Sequence, residues 1–360
     1  MPVPPLALWV IPVPDLGGVA RHALDVAEVG VPGWRVVFFC PPGPLADALR
    51  ARGAAVLTGR FGPDAGVAAS VRSLRRTIRT LRPAVVHSHL AYADIAAALA
   101  TRGLPVRLVS TEHGIAGDAG VYHGSAAKAR AMALAHRTRL RAFDALIAVS
   151  DATRAAMQAA WRPRRPITVI RNGVDPTPAL VEPVETPPVV PVETLRVASL
   201  ARLSPEKRID RLLDAFALVL RGRPDARLTV AGTGPLLADL QAGATRLGVA
   251  DAVRFPGHVD AGALLADTDV LVQLSVWENC SYTLLDACVA GVGVVATPVG
   301  GNPEILPARC LVPADDAAAV RDAILAQATQ PASRPSLPPE WPTRPAMAAG
   351  VAAVYDRALR

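Results

Sequence analysis

A chain of 360 residues is longer than one ordinary core organises, so about two domains of 150 to 200 residues are expected. With 51% hydrophobic and 19% charged residues it can bury substantial cores, which excludes a disordered chain, and the lack of any run of about 20 apolar residues excludes a membrane span. The net charge of +7 is uneven, residues 1–175 carrying 22 Lys+Arg against 11 Asp+Glu, and these basic stretches hold almost no aromatics for stacking on bases, which argues against nucleic acid.

Short apolar runs predict strands at Leu6–Ile11, Arg35–Cys40, Ala54–Leu57, Ala84–His87, Val106–Thr111, Ala145–Val149 and Thr168–Ile170, with amphipathic helices between them. Prolines 2, 4, 5, 12 and 14 and the absence of a basic n-region argue against a signal peptide. Gly17 and Gly18, before the helical Val19–Val29, form a loop that a ligand can approach closely. Arg72, Arg75, Arg76, Arg79 and Arg82 fall in one helical segment, and Lys128, Arg130, Arg137, Arg139 and Arg141 in another. Each reads either as a solvated face or as a contact for anionic lipid. His87 and His89 end a strand at i,i+2 spacing, and His113 ends the next as Glu-His-Gly. A metal site lacks a third ligand here; the histidines read as hydrogen-bonding groups beside a ligand or as packing. The four cysteines, Cys40, Cys280, Cys288 and Cys310, show neither metal spacing nor a disulfide framework, so a reducing cytoplasm is expected.

Residues 176–194 contain six prolines and no glycine and read as an interdomain linker. Beyond them strands are expected at Arg196–Leu200, Arg227–Ala231, Val253–Phe255, Val270–Leu274 and Val292–Ala296. After the first, Ser204 and Pro205 suit a helix start, and Arg202 and Lys207 flank it, where two cations neutralise a departing diphosphate. Gly232 and Gly234 permit close backbone approach, but position 237 is Leu, so a dinucleotide fingerprint is absent. Asp267-Thr268-Asp269 precedes a strand and reads as capping rather than metal binding. From Asp269 to Glu304 a strand (Asp269–Leu274), a loop, a helix from Tyr282 to Ala290 closed by Gly291, and a strand follow in order. Glu278 lies in the loop and Asp286 about one turn inside the helix, with the N–H groups of Ser281, Tyr282 and Thr283 between them. Those donors favour a phosphate, leaving the carboxylates for hydroxyls, an arrangement that fits a sugar attached to a diphosphate. Met347–Leu359 has the spacing of a closing amphipathic helix.

Taken in order, GGVARHALDVA (17–27), VVHSHLAYAD (85–94), STEHG (110–114), ALIAVSDATR (145–154), VIRNGVD (169–175), VASLARLSPEKRIDRLLDAF (198–217), VAGTGP (230–235), FPGHV (255–259) and WENCSYTLLDA (277–287) resemble a retaining glycosyltransferase of family 4. The resemblance covers nearly the whole chain. It implies an α/β GT-B fold of two Rossmann-like, doubly wound domains facing each other across a cleft: residues 1–175 on the acceptor side, 195–342 binding a nucleotide sugar, and 343–360 a helix crossing back to the first. It further implies that Arg202 and Lys207 bind the donor diphosphate, that Glu278 contacts the transferred sugar and that Asp286 holds the ribose. Gly17, Gly18, Gly232, Gly234, Val259, Cys280, Ser281, Tyr282 and Thr283 would complete the donor site, with His113 at the reacting sugar and His87, His89 and Asn172 toward the acceptor. The family's second acid is Glu, here Asp286, and the Gly-Phe-Gly frequent in its loop is missing from WENCSY.

The implied activity moves a hexose from a UDP-, GDP- or ADP-sugar to a hydroxyl of a polysaccharide, glycolipid or secondary metabolite, lipid-linked acceptors included, with no metal or other cofactor. A nucleotide-sugar-binding subunit and a GT-B epimerase are the alternatives. A cytoplasmic protein, touching the inner face of the membrane through its basic surface, is expected.

Overall fold

A computed structural model describes residues 3–114, 138–175 and 194–360. The proline-rich segment up to residue 193, and Lys128, Arg130 and Arg137, lie outside the described residues. The chain divides into two compact units, Met1–Gly173 with Pro342–Arg360, and Val174–Trp341.

Unit 1 holds a parallel sheet of β1 (Leu6–Val10), β2 (Arg35–Cys40), β3 (Ala55–Thr58), β4 (Val85–His89), β5 (Arg107–Glu112), β6 (Ala145–Ala148) and β7 (Ile167–Val169), in the order β3-β2-β1-β4-β5-β6-β7. Along β1 successive side chains enter opposite cores: Ala7 and Trp9 join Phe38 and Val109, whereas Leu8 and Val10 join Phe39 and Val86. Helices cover both faces, so a central strand is apolar throughout rather than alternating. The helix Arg344–Leu359 contributes Met347, Val351 and Tyr355 to the Trp9 core. Its start is fixed by Arg344, 2.9 Å from Glu28.

Unit 2 repeats the design with β8 (Arg196–Leu200), β9 (Arg227–Ala231), β10 (Val253–Gly257), β11 (Val270–Gln273) and β12 (Gly293–Ala296), ordered β10-β9-β8-β11-β12 and all parallel. Val197, Phe216, Leu228, Val270 and Ile324 share its core. Both units are Rossmann-like, and all twelve expected strands form, their ends shifted by two residues at most. In each sheet the chain builds outward in one direction and then restarts on the other side of its first strand. The crevice at such a reversal, beyond the carboxyl ends of the strands, is where open α/β sheets take ligands. It lies between β1 and β4 in unit 1 and between β8 and β11 in unit 2.

Several local expectations are corrected. Ser204 caps no helix with its side chain, which instead donates to Glu206 Oε1 at 2.6 Å; Pro205–Lys207 is a short 3-10 turn, and the helix proper begins at Ile209 after Arg208 in the left-handed region, φ 50°. Asp269 is not a cap either. Its Oδ2 accepts from the Arg196 backbone N–H at 2.8 Å and its Oδ1 from the Arg196 guanidinium at 3.0 Å, while Asp267 accepts from the same guanidinium at 2.7 Å. Ion pairing across neighbouring strands replaces capping because Arg196 opens β8 directly beside them. Of the arginines on Val67–Leu81 and its C-cap, Arg75 is not a free surface charge but donates to the carbonyls of Ala100 at 2.7 Å and Arg102 at 2.9 Å. Arg139 is buried between Glu112 (2.7 Å) and Asp94 (3.3 Å). No disulfide forms among the four buried cysteines, and among the described residues no helix is long and apolar enough to cross a membrane.

Candidate active site

Because β8 and β11 are neighbours, the loops that leave them meet. The backbone N–H of Val276 donates to the Glu206 carbonyl at 2.8 Å, tying the Arg202–Arg208 loop to the loop that carries Glu278. Lys207 Nζ then pairs with Glu278 Oε1, and the same oxygen accepts from Ser275 Oγ at 2.8 Å and from Gln273 Nε2 at 3.0 Å. Gln273 also reaches Ser281 Oγ at 3.1 Å, which in turn caps the helix Tyr282–Val289 by accepting from the Leu284 N–H. Three donors thus converge on one carboxylate oxygen, and none of these bonds uses Oε2.

The main chain at Glu278 is held as firmly. Gly300, at φ +51°, lies where any Cβ would run into the Glu278 carbonyl. Thr297 Oγ1 grips the Ser275 carbonyl at 2.6 Å, and Asn302 holds the Thr297 carbonyl at 3.0 Å. Trp277 covers the cation, with Lys207 Nζ 5.9 Å from its ring centroid, and its buried indole N–H has no acceptor. Arg202 is exposed and, among the described residues, makes no ion pair. Asp286 is half-buried in the second turn of the helix, Thr283 is half-buried, and Cys280, Ser281 and Tyr282 are buried. Gly232 and Gly234 make room for the backbone of Ala201 and Leu203 in the adjoining loop; their close approach is to protein. Val259 is half-buried beyond β10.

In unit 1 the corresponding crevice is lined differently. Gly17 precedes the helix Gly18–Val29, and a Cβ on Gly17 or Gly18 would meet nothing within 4 Å. His22 from that helix and His87 and His89 from β4 gather around Trp9, whose ring stacks on His22 at 5.5 Å and lies 4.9 Å from His87 and 4.4 Å from His89, and His113 just beyond β5 joins through His22 and His89. An indole nitrogen can only donate, so Trp9 Nε1–H donates to the Tyr355 oxygen at 2.7 Å, and the Tyr355 hydroxyl donates to His87 Nδ1 at 2.6 Å. His87 Nε2 is left to donate to Thr111 Oγ1 at 2.7 Å. Both of its nitrogens are committed, so His87 fixes packing and tautomer and does not reach toward an acceptor as the sequence suggested.

His89 Nδ1 and His113 Nε2 share a hydrogen bond of 2.9 Å, while His89 Nε2 and both nitrogens of His22 complete no hydrogen bond of good geometry. Burial lowers all four pKa values, that of His22 to about 4 against a weak upward pull from neighbouring Asn172. The rings are neutral at pH 7. The Glu-His-Gly turn is set by Glu112, whose Oε1 accepts from the Gly114 N–H at 3.4 Å while Oε2 holds Arg139; burial raises the Glu112 pKa to about 7, opposed by Arg139.

Sequence reasoning missed His22, Gln273, Ser275, Trp277 and Gly300. A glutamine ending the apolar run DVLVQL, and the paired glycines at 300–301, were the available signals. Nothing local marks His22.

Two Rossmann-like units with a cation–carboxylate pair at one reversal define a GT-B glycosyltransferase, and the comparisons agree. Residues 16–177 match glycosyltransferase family 4 and residues 194–330 match glycosyl transferases group 1. The chain belongs to glycosyltransferase family 4. It is 31% identical over 336 residues to a glycogen synthase of Mycobacterium tuberculosis, covering 82% of this chain and 78% of that protein. With the lipopolysaccharide core biosynthesis mannosyltransferase LpsB of Rhizobium meliloti it is 32% identical over 203 residues, 52% of this chain and 56% of that one. Among solved structures, Anabaena Alr3699/HepE in complex with UDP-glucose superposes with a TM-score of 0.75 at 18% identity, covering 99% of this chain and 95% of the other.

Proposed function

We propose that this glycosyltransferase moves a hexose, with retention of configuration and without a metal, from a nucleoside-diphosphate sugar to a hydroxyl acceptor. The observation that carries the reading is the convergence of Lys207, Gln273 and Ser275 on Glu278 Oε1 at the β8/β11 reversal. An anchored carboxylate with its second oxygen uncommitted accepts from a sugar hydroxyl, and Lys207 sits beside it to exchange that partner for the β-phosphate. Arg202, without an ion pair among the described residues, supplies a second cation. Together they neutralise the charge that develops on the leaving diphosphate, so the cations perform what a metal would. Asp286 accepts from the ribose hydroxyls. Retention follows a front-face path in which the departing phosphate oxygen takes the acceptor proton. The glycogen synthase and LpsB likenesses support a hexosyl donor and a saccharide acceptor. Peripheral attachment through the exposed Arg72, Arg76, Arg79 and Arg82 belongs to the same proposal, and sedimentation with anionic vesicles at low and high salt tests it.

Thermal shift with UDP-, GDP- and ADP-sugars identifies the donor, since ligand at about 100 times its dissociation constant stabilises by roughly 2.7 kcal/mol. Glycosylated product must then form in chelator-treated buffer and vanish in Glu278→Ala and Lys207→Ala. Donor binding with no transfer by the parent protein to any acceptor favours the binding-subunit reading instead, and conversion of the donor without acceptor favours the epimerase.

A further inference from the structure

The histidines at the β1/β4 reversal are arranged for more than packing. His22, His89 and His113 each offer a ligand nitrogen, and these atoms all lie within 4.8 Å of one another. Three imidazole nitrogens bound to one zinc ion stand about 3.4 Å apart, so small ring rotations close the set. Three features favour a cation over a purely structural cluster. Neither ring nitrogen of His22, 2% exposed, completes a hydrogen bond of good geometry, and His89 Nε2 is buried in the same condition. Leaving such groups without partners is costly unless a ligand is to meet them. The rings are held neutral, the form in which imidazole binds a metal. Asn172, buried alongside His22, is placed to accept the other ring N–H, as the partner behind a metal-bound histidine does.

We propose that His22, His89 and His113 form a site for a borderline-soft divalent cation of the Zn²⁺ class, with three imidazole ligands and a fourth position open to solvent on the side of half-buried His113. Binding replaces the His89–His113 hydrogen bond with two metal–nitrogen bonds. Each neutral ring needs only its tautomer set, so no acidic ligand is required. His87 takes no part because Tyr355 and Thr111 hold both of its nitrogens. The proposed transfer chemistry needs no metal and shares only His113 with this site. Where the transfer reading also holds, zinc withdraws His113 and inhibits.

The test uses the full-length protein without a histidine tag, freed of metal by chelation and titrated with Co²⁺ as a spectroscopic stand-in for Zn²⁺. One ion per chain with tetrahedral cobalt bands is expected, displaced by Zn²⁺ and weakened at least tenfold in His22→Gln and in His89→Gln. His258→Gln, at an exposed position beyond β10, leaves binding unchanged. Absence of stoichiometric binding, or binding untouched by His22→Gln, overturns the proposal. Should those variants misfold by circular dichroism, hydrogen exchange of the parent protein decides: Zn²⁺ must slow exchange in Gly18–Val29 and at Glu112–Gly114, and no such slowing overturns it. Loss of transfer with zinc bound elsewhere refutes the inhibition alone; failure of transfer in chelated buffer refutes the transfer reading and leaves the metal site standing.

Discussion

The two sheet reversals share a topology and oppose each other in chemistry. Between β8 and β11 the chain places a cation against a carboxylate and surrounds that carboxylate with donors. Between β1 and β4 it places three imidazoles around an indole and a fourth against two of them. Lys207 and Glu278 are 17% and 11% exposed, open enough to exchange partners, whereas His22, His87 and His89 are sealed. One fold supplies the crevice, and the residues set at the strand ends decide whether it presents a charged pair or a cluster of neutral rings.

The sharpest break of the charged side is removal of one member of its pair. Glu278→Gln and Lys207→Met should each lower transfer by about 10³-fold, the scale expected for losing a preorganised electrostatic group. Each single variant should also melt earlier, by about 3 kcal/mol for an ion left without its partner. The double variant should recover the melt but not the transfer, measured side by side.

The histidine side is tested by acid. Its pKa values are depressed in the fold, so the unfolded chain takes up protons first, and stability present above pH 6.5 is lost as pH falls toward 4. For His22 alone the loss is about 3 kcal/mol by pH 4. Glu112 acts in the opposite sense: its raised pKa favours the fold as pH falls from about 7, and buried Asp94 is raised likewise. Two acids offset part of what four bases lose. Hydrogen exchange at pH 7 and pH 5 should therefore show unit 1 opening in acid while unit 2 keeps its protection.

Glycines give a smaller contrast. Gly300→Ala forces a Cβ against the Glu278 carbonyl at a strained φ and should cost about 1–3 kcal/mol in a denaturant melt. Gly17→Ala meets open space and should leave the melt unchanged. The smallest effect is expected from Asp286→Glu, which should alter the donor KM less than tenfold with an unchanged melt. A larger change in kcat would mean that Asp286 does more than make the proposed ribose contact.

The strands were legible because each is a short apolar run between turn residues, and parallel sheets covered on both faces write themselves that way. Lys207 and Glu278 were legible as positions at strand ends, but their pairing depends on β8 lying beside β11, which only the folded order supplies. Asp269 read as a cap for the same reason: its partner Arg196 is 73 positions away. His22 sits on a helix whose pattern is satisfied without it, and only the β1-β4-β5 order brings it to His89 and His113.

The polar chain from Trp9 through Tyr355 to His87 and Thr111 also sets an order of assembly. Trp9 precedes and Tyr355 follows the whole of Val174–Trp341. Unit 2, built from one contiguous stretch, can close during synthesis. Unit 1 must wait with an indole donor and an imidazole unanswered until the helix Arg344–Leu359 arrives, so of the two units the one begun first finishes last.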